Sequence, residues 1–131
     1  MNKAKYDWTI HMVADDSFYK YTCDAHTHGL DRYGSYEIQM VLNLGPNIIG
    51  AIINDVGERI RNGLVLHDGD YIEGVLENGV KIKVFETKDE FGQPIFRLLL
   101  PDEQNRFPGD TDIYPYNMQL ETPYKPQAHE S

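Results

Sequence analysis

The stretch Tyr36-Glu37-Ile38-Gln39-Met40-Val41-Leu42-Asn43-Leu44-Gly45-Pro46-Asn47-Ile48-Ile49-Gly50-Ala51-Ile52-Ile53-Asn54-Asp55-Val56-Gly57-Glu58-Arg59-Ile60-Arg61-Asn62 changes its hydrophobic period once, at Gly45-Pro46. Before the break, Tyr36, Ile38, Met40 and Leu42 alternate with Glu37, Gln39 and Asn43, the period of an antiparallel strand with one covered and one wetter face. After it, Ile48, Ile49, Ile52, Ile53, Val56 and Ile60 recur at three- and four-residue spacing, which predicts a helix over 47–62. Pro46 suits the first helical turn, Arg59 and Arg61 suit its last turn, and Asn62-Gly63 supplies the stop. Gly50 and Gly57 each cost this helix about 1 kcal/mol relative to alanine, and close packing against a sheet is the simplest reason to keep them.

Working outward, Trp8-Thr9-Ile10-His11-Met12-Val13 alternates as a strand. Asp15-Asp16-Ser17 is turn chemistry, and Phe18 to Cys23 predicts the partner of a hairpin spanning about 8–24. Downstream, Tyr71–Glu77 and Val80–Phe85 flank Asn78-Gly79, a strong two-residue hairpin signal that would set Val75 opposite Ile82 and Glu73 opposite Val84. Asp89-Glu90-Phe91-Gly92 predicts a turn, and Ile95–Leu100 a further strand with Phe96, Leu98 and Leu100 on its apolar side. Beyond Asp102 the periodicity ends. Six strands and one main helix define an α+β fold: a twisted antiparallel sheet, the helix packed across one face, and an irregular C-terminal segment. A single domain over 1–131 is expected, with an ordered core of about 6–120 and a flexible tail at 121–131.

With 131 residues, 40% of them apolar and a net charge of −9, the composition is that of a globular acidic domain. The charge argues against nucleic acid or an anionic membrane surface as partner. No apolar run approaches the ~20 residues of a membrane span, and the segment from Met1 to Asp7 lacks the apolar stretch of a secretion signal. One cysteine, Cys23, forbids an internal disulfide framework and fits a cytoplasmic location.

The segment Asp24-Ala25-His26-Thr27-His28-Gly29-Leu30-Asp31 carries the most distinctive chemistry. If the chain is extended there, Asp24, His26 and His28 project from one side, neighbours roughly 6.5–7 Å apart at Cα. Two imidazoles with a carboxylate, Asp24 or Asp31, are a ligand set for zinc or another divalent metal and could activate a water for hydrolysis. His11 becomes a third imidazole if the hairpin pairs suitably. Cys23 and His26 fall on opposite faces, which disfavours a thiol nucleophile. Outside this segment no catalytic constellation is complete. The leading expectation is therefore a non-enzymatic ligand- or protein-binding domain, contacting its protein or small-molecule partner through Glu37, Gln39 and Arg106. The alternative is the metal site, and a homodimer is also compatible.

His26-Thr27-His28-Gly29-Leu30, Glu37–Leu42, Ile53–Arg59, Gly69-Asp70, Leu99-Leu100-Pro101-Asp102 and Asn105-Arg106-Phe107-Pro108 occur in an order that resembles a family of small bacterial proteins, domain of unknown function 4262, over about positions 8–120. The resemblance implies a compact cytosolic bacterial domain and assigns no reaction. It implies that a metal at His26 and His28 would belong at most to a subgroup.

Overall fold

The computed structural model describes residues 6–126. Strands β1 (Thr9–Val13), β2 (Thr22–His28) and β3 (Glu37–Leu42) precede helix α1 (Pro46–Arg61). Strands β4 (Tyr71–Ile72), β5 (Ile82–Lys88) and β6 (Pro94–Leu99) follow it. They form one six-stranded sheet in the order β1-β2-β3-β6-β5-β4. The α+β architecture is the expected one, with one difference in detail: β3 and β6 run parallel, joined through Ile38↔Phe96 and Gln39↔Arg97. Each strand is antiparallel to its other neighbours. Local alternation cannot reveal this pairing, because it depends on where the chain re-enters the sheet after α1.

Helix α1 buries Ile49, Ile52, Ile53, Val56 and Ile60 in one cluster with Trp8, Cys23, Ala25, Ile38, Met40, Leu42, Val84 and Leu98 of the sheet layer. Each isoleucine buried this way contributes about 2 kcal/mol, which outweighs the helix's two glycines. Gly57 is a packing glycine: a Cβ there would lie 2.7 Å from the Trp8 ring. Gly63, at φ +111°, terminates the helix in the left-handed region.

Two hairpin readings are corrected. The first hairpin is not continuous from Phe18. Residues 18–21 turn back on themselves through Phe18 N–H to Asp15 O and Thr22 N–H to Tyr19 O, so β2 starts later and carries Thr22 through His28. In the second, Ile72 rather than Val75 lies opposite Ile82. Gly74 at φ +83° and Asn78 at φ +59° curl 73–81 into a wide loop whose Val75 and Leu76 tuck against the core.

The C-terminal segment is irregular, as expected, and lies over the sheet face away from α1. Gln119, wholly buried, brackets Leu100 by accepting from its N–H and donating to its carbonyl. Order also runs past 120. Tyr19 N–H donates to Pro123 O, Lys125 N–H donates to Ser17 O, and the Phe18 and Tyr124 rings stand 4.6 Å apart. The expected flexible tail is therefore tied down as far as Lys125; its remainder, 127–131, lies outside the described residues.

Candidate functional site

On the face opposite α1, one row of side chains crosses the sheet. His11 pairs with His26, His26 with Gln39, Gln39 with Arg97, and Arg97 with Phe85. Alternation along each strand puts all of them on the same side. In the middle of the sheet this face is not wet: Gln39 is 4% exposed and Arg97 5%. The C-terminal segment shields them.

Asp24, 7% exposed, organises the row. Its Oδ1 accepts from His26 Nδ1 at 2.9 Å and from Gln39 Nε2 at 3.0 Å, and its Oδ2 accepts from the Tyr124 hydroxyl at 3.1 Å. Burial pushes the Asp24 pKa up, but these three hydrogen bonds and the His26 charge outweigh it and hold the carboxyl below its ordinary range. The same hydrogen bond, opposed by partial burial, raises the His26 pKa. Burial and then the Asp24 charge keep the Tyr124 hydroxyl protonated.

Beyond Gln39 the chain continues into Arg97, whose Nε donates to Gln39 Oε1 at 2.9 Å. Its Nη1 donates to the carbonyls of Gln119 at 2.7 Å and Glu121 at 3.0 Å. Burial lowers its pKa to about 10, with Asp24 acting in the opposite sense. The guanidinium remains charged in a place where charge is costly to bury. A cleft of ≈ 440 Å³ opens over Asp24, Gln39 and Arg97, with Lys88, Asp89, Glu90, Pro123, Tyr124 and Lys125 among its walls. Another cavity, of ≈ 360 Å³ beside Tyr36, Leu64, Val65 and Phe96, has no buried polar side chain in its lining.

The residues singled out in the sequence separate into distinct roles. Gln39 lies in the middle of the row. Glu37 sits on the same strand, but both its oxygens are engaged: Oε1 accepts from Thr27 Oγ1 and Leu30 N–H, and Oε2 from Gly29 N–H. It caps the short helical turn Leu30–Tyr33. Arg106 is away from the row and donates through Nε to Asp102 at 3.1 Å. Asp102, buried itself, also accepts from Thr111 and from the Gln104 and Arg106 amides. Burial raises its pKa, but these bonds prevail and bring it to about 2. Arg106 therefore locks a C-terminal loop.

His26 and His28 do come together, with ring centroids 4.8 Å apart, and His11 joins them at 5.5 and 6.3 Å. Asp31, on the short helical turn, lines a pocket with both His26 and His28. Asp24, by contrast, is engaged by three donors. Among the described residues no group of three or more His, Cys, Asp or Glu side chains is placed to hold a metal ion. Cys23 is fully buried on the α1 side, where burial and then the Asp24 charge push its thiol up to about 12. Arg97 was missed, although a lone cation inside the apolar run Ile95–Leu100 was a readable signal: such a residue is buried only with dedicated partners.

The site is thus a polar, partly covered sheet face on an α+β domain. The family model described as domain of unknown function (DUF4262) matches residues 3–114, and the chain belongs to that family. No curated protein and no solved structure matches the chain. No helix among the described residues is long and apolar enough to cross a membrane.

Proposed function

We propose that this domain is a non-enzymatic binding module whose ligand occupies the cleft over Asp24, Gln39 and Arg97. One observation carries the reading: three polar side chains, each more than nine-tenths buried, are linked in sequence and form the floor of a cleft of ≈ 440 Å³. Pockets of this size with a few convergent polar groups are the usual form of small-molecule sites. The cysteine does not favour a thiol reaction, being on the wrong side of the sheet and protonated. The metal alternative has less support, since the nearest carboxylate, Asp24, already orients His26, Gln39 and Tyr124.

The test is protein-observed NMR against a mixed panel of small polar metabolites. The Arg97 Nε–H and Gln39 side-chain amide resonances report on the floor of the cleft. Binding there is expected to move both resonances saturably. Shifts confined to other surfaces, or none across the panel, would refute the reading.

A further inference from the structure

The cations of this acidic chain are unevenly committed. Among the described residues, Arg59, Arg61, Lys81 and Arg106 all stand in ion pairs with carboxylates. Arg32 donates to the Gly29 carbonyl, and Lys20 and Lys83 lie over the Tyr21 and Tyr71 rings. Lys88, Arg97 and Lys125 stand in no ion pair with a described residue, and all three line the cleft proposed above as the binding site. The Arg97 Nε and Nη1 groups are engaged, whereas Nη2 donates to no described residue. The acids around the same cleft differ. Asp24 accepts three hydrogen bonds. Asp89 accepts the Phe91 and Gln93 amides of its own turn. Glu90 is exposed at the rim of the cleft. Donors are left over in the cleft, whereas its one buried carboxylate, Asp24, is engaged at both oxygens.

The geometry points to a small monocarboxylate as the ligand, its carboxylate accepting from Arg97 Nη2 and from the ammonium groups of Lys88 and Lys125. The inference rests on the cleft being the binding site. Three basic and three acidic side chains line it, so a single negative charge is better tolerated there than the two charges of a phosphate monoester, by simple Coulombic balance. The volume far exceeds a carboxylate group, leaving room for a short stem against Pro123 and Tyr124.

Isothermal titration calorimetry and the Arg97 Nε–H resonance test this on the full chain, with monocarboxylates from acetate to benzoate, the neutral amide of each, and inorganic phosphate. At least one monocarboxylate is expected to saturate the resonance shift, its amide to leave it unmoved, and phosphate to bind about tenfold more weakly or less. The double variant Lys88→Gln, Lys125→Gln changes only exposed side chains. It should keep its melting temperature and weaken the carboxylate by about tenfold. Equal binding of the amide, phosphate as tight as the carboxylate, or undiminished affinity in the double variant would each overturn the monocarboxylate. If a neutral or cationic compound saturates the Arg97 and Gln39 signals while carboxylates do not, the ligand class is wrong and the cleft is still the site. If nothing moves them, both fall.

Discussion

At Asp24, donors from β2, β3 and the C-terminal segment meet on one carboxylate, and the pH behaviour of the molecule should show it. The His26 pKa is raised above 6.5 and the Asp24 pKa is lowered below 3.8. The stabilisation carried by His26 is complete below its unfolded pKa and is lost as pH rises through the folded one. That carried by Asp24 is complete above its unfolded pKa and is lost as pH falls through the folded one. Both act together between about pH 4 and 6.5. The difference in unfolding free energy between the native chain and Asp24→Asn, measured by urea denaturation, should be largest in that window and shrink toward pH 9. The His26 ring titration should fall back toward the unperturbed value in the variant. A difference that stays flat from pH 4 to 9 would contradict the pairing.

The same scale shows what could be read in advance. The period-two spacing of Asp24, His26 and His28 foretold their common face correctly, because side-chain direction in a strand is a local property. The commitments of Glu37 and Asp24 were not legible, since their partners are set by a turn and by a segment about 100 residues away.

Among the elements, α1 was the most legible: one apolar stripe, one stop signal, one face buried. Its two glycines make a paired test. Gly57→Ala drives a Cβ to 2.7 Å from the Trp8 ring, and such overpacking costs about 1–3 kcal/mol, more than the improved helix propensity returns. A methyl group at Gly50 would meet nothing within 4 Å, so Gly50→Ala should instead stabilise by about 0.5–1 kcal/mol. Denaturant midpoints moving in opposite directions are the expected result. The loop 73–81 was the least legible element. Asn78-Gly79 does turn the chain, but Gly74 supplies a second bend that a two-residue hairpin leaves no place for. β6 shows a related limit: Phe96, Leu98 and Leu100 read correctly as the core face, yet Ile95, Arg97 and Leu99 are buried too, and over Arg97 the cover is a segment without periodicity.

For the whole molecule, that covering segment makes a two-layer domain into a three-layer one over the cleft. Gln119 carries much of the attachment, bonding Leu100 on both sides and Tyr116 O through Nε2. Gln119→Ala leaves the buried Leu100 amide and carbonyl unpaired, and should cost about 2–3 kcal/mol in a denaturant titration. It should also speed hydrogen exchange at Leu100 without loosening α1; uniform acceleration across both would argue against a separate strap.

The lone parallel junction has a consequence of its own. Residues 9–61 supply three neighbouring strands and the helix, residues 71–99 supply the other three strands, and only the β3–β6 ladder stitches the two groups in register. Gln39 comes from one group and Arg97 from the other, so neither half-chain contains the cavity's floor. A ligand bound in that space would therefore be thermodynamically linked to completion of the fold: it would recognise the finished chain alone, and would tighten its central seam by doing so.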